Sequence, residues 1–129
     1  MRMFAGGAVA VLLAGAACAV ALSDAHSQAA PARTGAALYK TCVACHGARG
    51  QGTAMGPDLR GIAGRAAAQQ EGFAYSGALR RSGKRWTRAE LSAFLLNPQR
   101  AVPGNRMAYS GIGSERDAAA LAAYLEALR

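Results

Sequence analysis

Apolar positions recur at helical spacing in three stretches of the chain. Between Thr34 and about Ala44, residues Leu38, Cys42 and Cys45 stand i, i+4 and i+7, on one face of a helix that Thr34 can cap. Thr87-Arg88-Ala89-Glu90 is a capping box; the stripe Leu91, Phe94 and Leu95 follows, and Asn97-Pro98 closes this second helix. A third helix opens at Ser114, with Asp117 three residues on, and turns Ala118, Leu121, Leu125 and Leu128 inward with Tyr124 beside them. Sustained period-2 alternation of β-branched residues is missing throughout, so the pattern predicts an all-α domain with three main helices.

Between these helices lie two long segments rich in Gly and Pro, residues 47–72 and 98–113, with one short helical stretch near Ser76 to Arg81. Loops of that length in a compact domain usually wrap something. Aromatic residues make up only 6% of the chain, so three short helices would enclose a thin core. A large apolar cofactor in the middle would supply the missing contacts.

Residues 4–22 carry no charge and are mostly Ala, Val, Leu and Gly, with Arg2 before them and a polar stretch from Ser23 to Gln28 after them. This reads as an export signal, residues 1–30, with the mature start between 22 and 31. The run approaches the roughly 20 residues that span a bilayer, so an uncleaved membrane anchor is the alternative. Its richness in Ala and Gly favours cleavage, and Cys18 reads as signal-peptide filler because Gly15, not Leu, stands three residues before it. The domain is then 31–129.

The 129 residues hold 15 Lys plus Arg against 7 Asp plus Glu, a net charge of +8. Residues 1–30 contribute one base, Arg2, and one acid, Asp24, so the whole excess belongs to the exported domain. Apolar content of 52% is too high for a disordered polybasic tail, and export argues against nucleic acid as the partner. Acidic protein surfaces fit the charge, as does transient attraction to a membrane surface.

Three cysteines cannot build a disulfide framework, and an oxidising compartment would pair Cys42 with Cys45 unless something else consumed the thiols. Cys42-Val43-Ala44-Cys45-His46 is the C-x-x-C-H signature of covalent c-type haem attachment. On a helical turn, thiols at i and i+3 emerge on one side, where they can add across two vinyl groups, with His46 on a short tether to the iron. A thioredoxin-type redox pair would expect a βαβ context, and a zinc site lacks ligands, since His46 is the only histidine after residue 30. For the sixth iron position Met55 and Met107 remain, unless either is core filler. Met107, between two helices, can reach the far haem face. Met55 lies nine residues past His46 across a Gly-rich turn that favours the His46 side.

The chain resembles class I cytochrome c, of the mitochondrial and bacterial c2 kind. The matching segments are Cys-Val-Ala-Cys-His-Gly at 42–47, Gly-Pro-Asp-Leu at 56–59 and Gly-Ile-Ala-Gly-Arg at 61–65. Gly-Phe-Ala-Tyr at 72–75, Trp86, Asn-Pro at 97–98, Pro-Gly-Asn-Arg-Met at 103–107 and Leu-Ala-Ala-Tyr-Leu at 121–125 continue the match. The resemblance implies one covalent haem c wrapped by helices and long loops, with His46 and Met107 as axial ligands. It also implies that the Pro57 carbonyl accepts from the His46 ring and that Arg65, Tyr75 and Trp86 meet the haem propionates. Leu38 or Tyr39 would pack on Tyr124, with Gly35 or Thr34 near the crossing. Three departures stand out: Leu79 where the family often has Asn, Phe94 where it often has Tyr, and a basic surface with few lysines, only Lys40 and Lys84, but with Arg100 and Arg106 in the Met107 loop.

The expectation is therefore a monomeric periplasmic one-electron carrier, not an enzyme. Its partners would be redox proteins with acidic docking patches: a cytochrome bc1-type donor, an oxidase, a reaction centre or a dehydrogenase. Alternatives are a membrane-anchored electron-transfer module, and a ligand-binding haem sensor or peroxidase-like protein in which Met107 leaves the iron open.

Overall fold

A computed structural model describes residues 31–129; residues 1–30, read above as an export signal or anchor and including Cys18, lie outside the described residues. Among the described residues the helices are α1 Gly35–Tyr39, α2 Val43–His46, α3 Gly77–Arg81, α4 Arg88–Leu96, α5 Pro98–Ala101 and α6 Glu115–Ala127. The sole β feature among them is an isolated antiparallel bridge between Ala66 and Arg85. None of the described helices is long and apolar enough to cross a membrane.

The single first helix expected over 34–44 is broken in two. Thr41 N–H bonds Leu38 O (3.3 Å) and Cys42 N–H bonds Tyr39 O (2.8 Å), a three-residue spacing that tightens the turn. The Thr41 hydroxyl also donates to Leu38 O (3.0 Å), taking up a carbonyl the ladder would otherwise use. Both capping boxes close on one side only. Thr87 and Ser114 cap their helices through the N–H groups of Glu90 (3.2 Å) and Asp117 (3.3 Å). Their acidic partners turn elsewhere, Glu90 to Lys84 (2.6 Å) and Asp117 to Arg33 (3.0 Å to Nε). Nor does Asn97-Pro98 simply terminate α4. Asn97 accepts from Arg100 N–H (3.0 Å) with Pro98 in the first turn, which starts α5 inside the expected loop. Leu128 lies past the end of α6 in extended backbone and is half-buried.

α6 packs against both α1 and α4, and its inner face, Ala118, Leu121, Ala122 and Leu125, is buried. The crossing with α1 is resolved to Gly35 and Tyr39. A Cβ on Gly35 would lie 2.5 Å from both Ala120 O and Tyr124 Cβ, and the Tyr39 and Tyr124 rings meet at a 40° tilt with 5.2 Å between centroids. Thr34 instead caps α1, accepting from Ala37 N–H (3.2 Å). From α4, Leu91, Phe94 and Leu95 complete the buried cluster, with Trp86 set edge-on to Phe94 at 5.2 Å. Arg33 binds Asp117 through two guanidinium nitrogens and ties the start of the domain to α6.

Gly35→Ala places a methyl group against backbone that cannot yield. It is expected to cost about 1–3 kcal/mol, read as a lower denaturation midpoint of the mature protein at unchanged slope.

Candidate functional site

The site grows from α2, which α1 delivers directly. Cys45 and His46 N–H groups both bond Cys42 O (3.2 and 2.9 Å), so Cys42 and Cys45 sit one turn apart on the same side. Gly47 ends the turn at φ +81°, a conformation open to glycine. The chain then folds back beneath the motif. Gly52 N–H reaches His46 O (2.8 Å) and the Thr53 hydroxyl donates to Cys45 O (2.6 Å). Gly56 passes so close that a Cβ there would lie 2.7 Å from Cys45 O and 3.0 Å from His46 Cε1. Pro57 O is thereby brought 2.8 Å from His46 Nδ1.

A carbonyl only accepts, so Nδ1 carries the proton and the Nε2 lone pair is left free. Burial holds His46 below its ordinary pKa, with the Pro57 bond acting the other way, so the ring is neutral at neutral pH. Both thiols are free and half-buried, and burial pushes that of Cys42 up.

These groups face a cavity of about 520 Å³, within the range of cofactor sites. Cys42, Cys45, His46, Pro57, Tyr75, Trp86 and Met107 all line it. Arg65 does not. Its guanidinium donates to Asp58 O (3.0 Å) and pulls down a Tyr75 pKa that burial pushes up. Both methionines reach the wall, but Met55 is 72% exposed while Met107 is half-buried. Leu79 and Phe94, the two departures from the family pattern, also line the cavity and add only hydrocarbon to it.

The cavity wall also holds Asn105, which periodicity and motif spacing did not single out. A polar residue just before a candidate ligand in a Pro-Gly turn was the available signal.

The donor set fits a haem: two thiols for its vinyl groups, one neutral imidazole and one thioether for iron, and a largely apolar chamber for the ring. Among the described residues no group of three or more His, Cys, Asp or Glu could hold a bare metal ion, which leaves the zinc reading without ligands. A helical domain folded around such a chamber, with C-x-x-C-H in its wall, is built as a c-type cytochrome.

Comparison with known proteins agrees. The cytochrome c family profile matches residues 32–129. Cytochrome c-type cyt cy of Rhodobacter capsulatus is 43% identical over 89 residues, which is 69% of this chain but 44% of that protein, so the chain spans less than half of it. Cytochrome c2 of Rhodoblastus acidophilus is 40% identical over 92 residues, 70% of this chain and 86% of that one. The structure of cytochrome cH from Methylobacterium extorquens superposes with a TM-score of 0.67 at 34% identity, covering 72% of this chain and 94% of that one. The chain belongs to the cytochrome c family. It is an electron-transfer protein that carries covalently attached haem c and works with redox partners, and it is not an enzyme.

Gly56→Ala drives a methyl group into the Cys45 carbonyl and the His46 ring. A loss of about 1–3 kcal/mol in unfolding free energy of the haem protein is expected, measured by guanidinium titration.

Proposed function

We propose that the exported domain is a freely diffusing periplasmic one-electron carrier, with Cys42 and Cys45 as the haem thioethers and His46 and Met107 as the axial ligands. The observation that carries this reading is the gathering of those four side chains on one cavity, with the His46 ring oriented by Pro57. The bound haem supplies a ferric–ferrous couple.

The protein residues hold that group and shield it. Pro57 fixes the tautomer and aim of His46, and the half-buried Met107, on the same cavity, would supply the second protein ligand and so deny the iron to exogenous ligands. Tyr75 and Trp86, from the cavity wall, would hold the propionates, and the charge of Arg65, which stands off the wall but acts on Tyr75, would help to balance them. Such donors offset the cost of enclosing carboxylates. Leu79, Phe94 and Leu91 exclude water from the chamber, lowering the reorganisation that accompanies a change of charge inside it.

Docking rests on charge. Asp58, Glu90, Asp117 and Glu126 are each matched by a base, Arg60, Lys84, Arg33 and Arg88. Arg80, Arg81 and Arg106 are exposed, form no ion pair among the described residues, and border an open groove of about 530 Å³ between α3 and the Met107 loop. That groove shares Tyr75, Ser76 and Arg106 with the haem chamber, so an acidic partner seated there would lie beside the cofactor. Arginine presents carboxylates with a planar fork, which suits brief, oriented encounters.

The optical spectrum of the matured protein tests the ligand set. The weak far-red band of methionine sulfur on ferric iron should be present, vanish in Met107→Ala and persist in Met55→Ala. Its absence from the wild-type protein, with carbon monoxide binding at once on reduction, would shift the reading to ligand-binding chemistry. For the charge, the rate at which ferricyanide oxidises the reduced protein should fall steeply as salt shortens the Debye length from about 30 to about 8 Å. A flat profile would remove electrostatic steering.

A further inference from the structure

Two amide side chains wire the segment that ends in Met107. Asn105 is 7% exposed and lies on the cavity wall. Its Nδ2 donates to both Pro98 O and Val102 O (2.9 Å each), while Oδ1 accepts from Met107 N–H (3.0 Å). Gln99 works from the outer side. Its Nε2 donates to Asn105 O (3.0 Å) and its Oε1 accepts from Gly104 N–H (3.3 Å). Each amide therefore grips the backbone next to the other, and together they join α5, the turn at Gly104 (φ +83°) and the peptide of Met107 in one closed network.

The chemistry of Asn105 is demanding. The position needs two donors aimed at two carbonyls and one acceptor aimed at an N–H, all within one short side chain. Serine and threonine bring one donor, and aspartate brings none and faces two carbonyl oxygens with a charge. Asparagine meets all three demands, and its orientation is settled because the two carbonyls can only accept. Besides these amides the loop is held by the Arg106 guanidinium on Ala74 O (2.7 Å) and by Asn105 N–H on Val102 O (3.1 Å), but neither bond reaches the Met107 peptide, and Pro103 and Gly104 are exposed.

We propose that Asn105, backed by Gln99, is the positioning residue that keeps Met107 turned into the chamber, so that this amide network holds the iron closed and makes the protein a carrier and not a ligand-binding haem protein. The inference rests on the reading of Met107 as an axial ligand. A thioether is a weak, uncharged ligand whose hold on iron depends on the loop that presents it. A network that restricts this loop to one conformation lowers the entropy lost when the sulfur binds, and an intruding ligand must break it to enter.

The test is competition by imidazole in the intact haem protein, followed through the far-red band of the oxidised form. Asn105→Asp should bind imidazole about a hundredfold more tightly than wild type, as expected when buried hydrogen-bonding groups lose their partners. Gln99→Ala alters a more exposed residue that endangers folding less, and should tighten imidazole binding roughly tenfold, the loss of two ordinary hydrogen bonds. Both variants should keep wild-type far-ultraviolet circular dichroism and carry covalent haem, which separates loop release from unfolding. Wild-type imidazole affinity in Gln99→Ala, or in a folded Asn105→Asp, would overturn the proposal. Met107→Ala keeps the two ideas apart: a far-red band that survives in it defeats the ligand reading itself, whereas loss of the band there with unaltered imidazole binding in the amide variants defeats only the positioning role.

Discussion

The crossing of α1 over α6 at Gly35 sets the position of everything that follows it. With no side chain at 35, the first helix lies directly against the Ala120 carbonyl, and the Tyr39–Tyr124 pair fixes its rotation. Three residues after α1 ends, the chain reaches Cys42, so the placement of both thiols and of His46 inherits the accuracy of that contact. The Tyr39 hydroxyl extends it, donating to Gly47 O (2.8 Å) at the close of α2. Burial, first among its causes, pushes the Tyr39 phenol up to about 12, so this donor keeps its proton across the working pH range.

Around that anchor the fold is organised by a chamber more than by a solid core. Helices α4 and α6 bury Leu91, Phe94, Leu121 and Leu125, yet Leu91, Phe94 and Leu125 also line the cavity. The remaining wall comes from irregular chain held by local hydrogen bonds and close backbone approaches, as at Gly56 and Asn105. Such a wall has little reason to be stable without a large apolar group to pack on, which is why long loops and covalent attachment occur together. Folding energy and cofactor retention are thus supplied by the same contacts.

Charge is distributed with a similar division of labour. Acidic side chains are mostly spent inside the domain's own ion pairs, of which Arg33–Asp117 has a structural setting, since Asp117 is buried beside the cap of α6. Exposed pairs such as Arg60–Asp58 contribute little to stability. Their larger effect is to leave Arg80, Arg81 and Arg106, which form no ion pair among the described residues, as unbalanced positive charge beside the chamber.

Much of this was written in the order of residues. Helical periodicity and caps located α3, α4 and α6, and C-x-x-C-H with its neighbours identified the cofactor, because these signals depend on spacing within a few residues and on the intrinsic chemistry of the side chains. The sequence alone left Gly35 and Thr34 equivalent at the crossing, showed one helix where Thr41 splits two, and offered Asn97-Pro98 as a stop where it also starts α5. Likewise, the turn around Asn105 hinted at a polar contact without naming its partners, nothing local distinguished Gln99, and nothing told that Glu90 and Asp117 would turn to Lys84 and Arg33. The Gly35 crossing and the Arg33–Asp117 pair depend on distant backbone or charge coming within reach, and the shorter-range bonds of Thr41, Asn97, Asn105, Gln99 and Glu90 depend on how the chain between the partners is bent. Such distances come into being only when the chain has closed on itself, so tertiary structure, not pattern, decided them.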